Sequence, residues 1–367
     1  MNNLIIINGR FLSRSMTGVD RFASEIVREL DKVMSKRCVL ALPRNARLPE
    51  GGKVGEKSWS SRLELKNIEI RRVGFLTGNL WEQIELPLYA KWRGGTLLNL
   101  CNSVPLLKPD VVCIHDMQIH EIADCFKPNF VRWYKLMFAF ATRFAKKILT
   151  VSEFSRSEIL KHYPYAAKIG IEVIPNAWQH IERVMPDEGV LQRFGLKPKG
   201  YYYSISGVSR NKNLAWIVRA AKAHPEEVFV VSGNLRGGSF AKNTALHLPE
   251  NIIQTGYAND AEIKALMMNA KAYICPSYYE GFGIPPLEAM AVGCPVIVSG
   301  RSSLPEVCGD SAAYIDPDDP TGTIPPFSNS SSNSNSSLQL SHQLSRYSWH
   351  LSAKKLTQTL STQILEI

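Results

Sequence analysis

Two carboxylates, Glu280 and Glu288, bracket the stretch Gly281-Phe282-Gly283-Ile284-Pro285-Pro286-Leu287. A carboxylate pair can serve as the acid and base of a hydrolase, or can hold hydroxyl groups by charge-assisted hydrogen bonds. The residues between them decide. Glycines let backbone N–H groups come close to a ligand, paired prolines open a helix, and a helix N-terminus favours an anion. Glu280 is expected in a strand-to-helix loop and Glu288 in the first turn of the helix that follows. Open α/β sheets bind ligands at that edge. On its own, Glu288 would do no more than complement a helix dipole and Glu280 would be a solvated loop residue. With the glycine turn between them they read as a clamp.

A second candidate is Ser206-Gly207-Val208-Ser209-Arg210-Asn211-Lys212-Asn213. A glycine turn with Arg210 and Lys212 ahead of a helix suits a diphosphate, although a basic helix-start loop can look the same. The segment around Gly18, from Arg14 to Arg21, is a poor match to a dinucleotide fingerprint. By itself it is an ordinary βα turn. His115 and Asp116 end an apolar strand, with His120 nearby. A metal reading lacks a third convergent ligand, so the functional readings of His115 are a general base or a partner of a substrate hydroxyl, beside the plain one of a histidine satisfied near an interface. Asp316-Pro317-Asp318-Asp319 is turn chemistry directly after a strand.

Short apolar runs and helical stretches must position these residues. Strands are expected over 4–7, 38–42, 68–73, 96–100, 111–114, 148–151 and 173–174. A second series follows over 201–205, 228–231, 252–254, 272–275, 296–298 and 312–315. Near-continuous apolar strands alternating with helices imply parallel sheets covered on both faces. Two series imply two Rossmann-like domains, with the ligand site in the cleft between them. Ser155-Arg156-Ser157-Glu158 reads as a capping box opening a helix over 158–162. The Ser/Asn-rich stretch 328–337 is expected to be a disordered loop. Beyond it Trp349, Ala353, Leu356, Leu360 and Ile364 fall at helical spacing and form a last amphipathic helix. The basic aromatic segment 130–147 reads as a helix packed on the sheet with a charged outer face, or else as one lying in a membrane interface. The amphipathic Trp81–Tyr89 segment is expected near the cleft edge, within reach of an acceptor.

The 367 residues suffice for two domains, and 45% hydrophobic with 21% charged residues is ordinary globular composition. A net charge of +10 suits nucleotide phosphates or an anionic membrane face. Without a zinc-finger spacing, RNA-recognition motif or basic run, nucleic acid is not expected as a partner. Seven cysteines without a CxxC pattern fit buried thiols in a reducing compartment. The N-terminus reads as a first strand and not a signal peptide. No stretch approaches the roughly 20 apolar residues of a spanning helix, so the expectation is a cytoplasmic protein that docks peripherally on the inner membrane face.

In this order the segments resemble the retaining GT-B glycosyltransferases of glycosyltransferase family 4, or group 1, over nearly the whole chain. Thr17-Gly18-Val19-Asp20-Arg21-Phe22 looks like its first glycine loop, Cys113–Asp116 like its histidine segment, and Ser206–Asn213 like its phosphate loop. Pro276–Val296 is similar to its best-defined stretch. The resemblance implies a GT-B architecture, two Rossmann-like domains facing across a cleft. An acceptor-side domain would span 1–177, a nucleotide-sugar domain 178–345 (with the 328–337 loop), and a closing helix 346–367. It implies that Lys212, with Arg210, holds the donor diphosphate, while Glu280 and the amides of Gly281, Phe282, Gly283 and Ile284 hold the transferred sugar. Glu288 would bind the ribose, His115 would face a sugar hydroxyl, and the amides at Gly18 would face the phosphates. No metal or other cofactor is implied, and retention would follow a front-face substitution.

The function implied is transfer of a hexose from a nucleotide sugar to a glycan or lipid-linked acceptor, in surface polysaccharide or O-antigen-type synthesis. GDP-mannose is the preferred donor on family breadth, with UDP-sugars open. The alternatives are another GT-B enzyme such as a nucleotide-sugar epimerase, or a non-catalytic sugar-nucleotide-binding assembly protein. The eroded segment 319–346, where relatives carry an amphipathic helix, speaks for the latter.

Overall fold

The computed structural model describes residues 4–14, 16–34, 38–44, 46, 63, 65–207, 209–233, 248–326 and 334–365. The chain forms two compact units. Met1–Asn176 with Trp349–Ile367 make the first, and Ala177–Ser348 the second.

The first unit holds strands β1 (Ile5–Asn8), β2 (Cys38–Pro43), β3 (Glu69–Val73), β4 (Thr96–Asn99), β5 (Val111–Cys113), β6 (Lys147–Thr150) and β7 (Ile171–Val173). They pair in the order β3-β2-β1-β4-β5-β6-β7, all parallel. Ile5, Ile6 and Ile7 are fully buried, as a strand covered on both faces requires. The first helix, Gly18–Val33, opens on a capping box: Asp20 N–H donates to Thr17 Oγ1 and Thr17 N–H to the Asp20 carboxylate. It buries Phe22, Ile26 and Leu30. The closing helix Trp349–Leu365 packs in this same unit, its Trp349 ring 6.3 Å from that of Phe22.

The second unit holds β8 (Tyr201–Ile205), β9 (Val228–Ser232), β10 (Ile252–Gly256), β11 (Ala272–Cys275), β12 (Val296–Ser299) and β13 (Ala313–Ile315). The order is β10-β9-β8-β11-β12-β13, and every pairing is parallel. This is the Rossmann order, in which the winding direction reverses between the first and fourth strands, here β8 and β11. In the first unit the same reversal lies between β1 and β4.

Three local expectations are corrected. The helix expected from Glu158 starts at Glu153. Ser152, two residues past the end of β6, has extended backbone and already accepts the Ser155 N–H at 3.0 Å, so the earlier serine caps and Glu158 lies mid-helix. Glu288 sits in the second turn of the helix Ile284–Ala291, not its first, because that helix begins at Ile284 ahead of the prolines. The Ser/Asn-rich stretch is not a loop throughout. Ser334–Ser345 is a helix, anchored where Gln343 Nε2 donates to the Val307 carbonyl at 2.7 Å; residues 327–333 lie outside the described residues.

Candidate functional site

In the second unit, the loops that follow β8 and β11 leave the sheet at its reversal point. The loop after β8 ends in a short 3₁₀ turn, Arg210–Lys212, and then in Asn213 at φ +50°. From that left-handed conformation Asn213 caps the helix Leu214–Ala223 through its side chain. Its amide also donates to the Pro276 and Pro317 carbonyls at 3.1 and 2.9 Å. Tyr278 N–H donates to the Asn211 carbonyl at 2.8 Å. The two loops are therefore wired to each other before any charged group is considered. The sheet edge behind them is also tight: a Cβ on Gly233 (φ +126°) would meet the Ser206 carbonyl oxygen at 1.8 Å, so only glycine fits there.

On this frame Lys212 Nζ lies 2.7 Å from Glu280 Oε1. Glu280 is largely buried and held by its own backbone, its N–H donating to Ser302 Oγ at 3.0 Å and its carbonyl accepting from Ser303 Oγ at 2.9 Å. Gly281, Phe282, Gly283 and Ile284 follow and are buried. Gly283 has φ +96° and caps the helix. Pro285 and Pro286 contribute no N–H, so the donors of this helix start are the amides up to Ile284. The Phe282 ring packs edge-on against Tyr347 at 5.3 Å. Arg210 is exposed.

Glu288 projects from the next turn, and its Oε1 lies 2.5 Å from Nε2 of His180. His180 is 2% and Glu288 8% exposed. Sequence reasoning missed His180, as nothing local in the 177–184 segment marks it.

The first unit gathers its own polar groups at the β1/β4 reversal. Asn8 Nδ2 donates to Glu82 Oε1 at 2.7 Å, Asn99 Oδ1 at 3.1 Å and Ser103 Oγ at 3.3 Å, and Arg10 pairs with Glu82. Glu82 sits in a π-helical turn, Trp81–Glu85, a form frequent at functional sites. A polar residue ending each buried strand, Asn8 and Asn99, was the available signal. Gly18 is the first residue of its helix. His115 follows β5, is 4% exposed, and its Nε2 lies 2.7 Å from the Leu100 carbonyl. A carbonyl only accepts, so Nε2 carries the hydrogen. Burial holds the His115 pKa down to about 4, which leaves a neutral ring at neutral pH. His120 does not join it and instead contacts the Tyr163 hydroxyl at 2.8 Å.

Among the described residues, Glu121, Glu158 and His162 are close enough to ligate a metal, but Lys161 already pairs with both carboxylates. Asp318 N–H donates to Asp316 Oδ1 at 3.0 Å and Asp319 accepts from Thr321, the turn expected of that stretch. The seven cysteines are free thiols. Among the described residues no helix is long and apolar enough to cross a membrane.

Residues 192–328 match the family model described as Glycosyl transferases group 1. The chain is 34% identical to an O-antigen chain mannosyltransferase B of Escherichia coli, over 58% of each chain. It is 26% identical to the O-antigen chain mannosyltransferase RfbU of Salmonella typhimurium, over 59% of this chain and 60% of that one. It thus spans less than two thirds of either relative. In fold it is similar to Anabaena Alr3699/HepE, solved with UDP and glucose, with a TM-score of 0.69 at 16% identity, covering 98% of this chain and 100% of that one. The GT-B fold and the group 1 resemblance read from the sequence therefore hold.

Proposed function

We propose that this chain, whose residues 192–328 are a glycosyl transferases group 1 domain, is a retaining hexosyltransferase that moves a sugar from a nucleotide sugar to a glycan or lipid-linked acceptor. The observation that carries the reading is the Lys212–Glu280 pair, 2.7 Å apart, at the reversal point of a Rossmann-order sheet. An ammonium has three donors, so Lys212 can keep Glu280 and still take a phosphate oxygen. The exposed Arg210 is its partner on the diphosphate. Positive charge placed where the leaving diphosphate gains negative charge is the electrostatic stabilisation such a departure needs.

Glu280 and the amides of Gly281, Phe282, Gly283 and Ile284 hold the transferred sugar, and Glu288 takes the ribose hydroxyls. His115, a neutral ring whose Nε2–H is already given to the Leu100 carbonyl, accepts from a sugar hydroxyl at Nδ1 without adding charge. The Gly18 amides face the phosphates. The first unit, with Asn8, Glu82 and Asn99, serves the acceptor. Because the similar O-antigen enzymes are mannosyltransferases, a mannosyl donor such as GDP-mannose is the first to test, in polysaccharide or O-antigen synthesis.

A cytoplasmic location with peripheral docking on an anionic membrane face belongs to the same proposal. Leu80, Ile84, Leu88 and Trp92 recur every fourth residue and are 60%, 41%, 54% and 79% exposed, flanked by Lys91 and Arg93. Such a stripe suits a lipid interface. The deciding experiment is release of nucleoside diphosphate from a panel of GDP- and UDP-sugars, with and without glycan acceptors. Acceptor-dependent release supports transfer. Acceptor-independent conversion of the sugar points to an epimerase, and tight binding without turnover points to an assembly protein.

A further inference from the structure

The His180–Glu288 contact has no part in the reading above and is unusual in its construction. Both side chains are buried, and they come from segments 108 positions apart. A carboxylate only accepts hydrogen bonds, so the Nε2 hydrogen of His180 is donated to Oε1. The histidine is itself held on a fixed support. Trp178 Nε1 donates to the Leu344 carbonyl at 3.0 Å and Gln179 Nε2 to the Tyr347 carbonyl at 2.9 Å. On the other side Lys264 Nζ donates to the Ile181 and Val184 carbonyls at 3.0 and 2.8 Å. The segment is tied before and after His180, so the imidazole is a fixed donor.

Glutamate has three rotatable bonds and holds one orientation only if something fixes its head. Glu288 lies one helical turn beyond the amides of the Gly281–Ile284 loop. With Oε1 taken by His180, Oε2 is the oxygen left for a ligand. Replacing both partners of a buried hydrogen bond by apolar groups of similar shape can be nearly neutral for stability, or even stabilising. Stability alone therefore gives no reason for this pair at this place.

We infer that His180 is a positioning residue for the nucleotide: it fixes Oε1 of Glu288 and so presents Oε2 to the 2′- and 3′-hydroxyls of a nucleoside diphosphate. The inference rests on the reading of Glu288 as the ribose-binding carboxylate. It assigns His180 no contact with the nucleotide itself. The effect of removing it must therefore appear only through ribose hydroxyls.

The test is calorimetric titration of the full chain with GDP and UDP and with their 2′-deoxy and 3′-deoxy counterparts. For the base that binds, the wild-type protein prefers the ribonucleotide. His180→Leu is expected to cut that preference by about tenfold, the effect of one hydrogen bond to a charged group. Its affinity for the deoxynucleotides should stay within twofold of wild type. His180→Gln, whose amide donates from a similar position, should recover most of the preference, which a merely structural role would not require. Where His180→Leu fails to fold, the His180→Leu/Glu288→Leu double variant replaces the buried pair with apolar groups and should bind ribo- and deoxynucleotides alike. Equal weakening of both nucleotide classes by His180→Leu, or an unchanged preference, overturns the proposal. Glu288→Gln separates the two readings. If Glu288→Gln keeps the ribose preference, the ribose assignment of Glu288 fails and the role of His180 with it. If Glu288→Gln loses the preference while His180→Leu keeps it, only the role of His180 fails.

Discussion

Lys212 and Glu280 are 68 positions apart and belong to different βα loops, yet their charged groups meet at 2.7 Å. The pair exists because β8 and β11 are neighbours at the reversal of the sheet. Asn211 and Asn213 then bind the first loop to the backbone of the second. In the proposed reaction the pair serves a ligand and not stability. Lys212→Ala and Glu280→Gln are each expected to lower kcat/KM by roughly 10²-fold or more, as loss of a preorganised transition-state contact does. The exchanged double variant Lys212→Glu/Glu280→Lys restores an ion pair but reverses the charge offered to the diphosphate, and should remain as slow as either single variant. Recovery of turnover in the exchanged protein would mean that the pair is a structural bridge.

Gly283 is the point where the loop turns into the helix. Its φ of +96° disfavours any side chain, and a Cβ there would lie 2.7 Å from Leu304 Cδ2. Gly283→Ala should therefore destabilise the second unit by about 1–3 kcal/mol and weaken nucleotide-sugar binding, because the amides on either side shift with the turn. Leu304→Ala removes the clash but empties a fully buried position, so the comparison is a double-mutant cycle of thermal melts. Gly283→Ala should cost less in the Leu304→Ala background than in the native one, yet still cost something, because the backbone strain remains.

The strands and the glycine–proline turn were legible because each is set locally. Ile5, Ile6 and Ile7 are apolar in succession because both faces of β1 are covered. Gly283 and Pro285 carry their backbone preferences wherever they stand. What was not legible depends on distant partners. Ser152 rather than Ser155 caps its helix because the chain is still extended there, just past the end of β6. The Ser334–Ser345 helix has poor composition and depends on Gln343 reaching the Val307 carbonyl. His180 has no local signal, since its meaning lies in Glu288. The sequence thus pointed to the loops of the candidate site but not to the residues that brace them.

The buried imidazole of His115 makes stability depend on pH. Its ordinary pKa is about 6.5, and burial lowers it to about 4 in the folded chain. Below pH 6.5 the unfolded chain takes up a proton that the folded chain refuses, so stability falls as the pH drops from 6.5 towards 4, then levels. His120, also lowered to about 4 by burial and by His162 and Lys135, acts in the same direction. Melting temperatures across this window should fall less steeply for His115→Gln than for the native protein. The comparison is of slopes, so any constant cost of the substitution drops out. Parallel slopes would show that His115 is not held neutral.

The closing helix tests which unit depends on the C-terminal residues. Trp349 is 2% exposed and Ala353, Leu356 and Leu360 are fully buried. Ser352 Oγ donates to the Pro175 carbonyl at 2.7 Å. All of these contacts lie within the first unit. Trp349→Ala removes a large buried ring and should cost that unit about 3–5 kcal/mol. Lys355→Ala breaks only the more exposed pair with Glu172 and should cost under about 1 kcal/mol. Hydrogen exchange reads the difference by location. In Trp349→Ala, protection should drop across Ile5–Asn8 and Thr96–Asn99, the strands of the first unit's core, and stay unchanged across Tyr201–Ile205. Loss of protection at Tyr201–Ile205 of equal size would mean that the closing helix supports the second unit as much as the first.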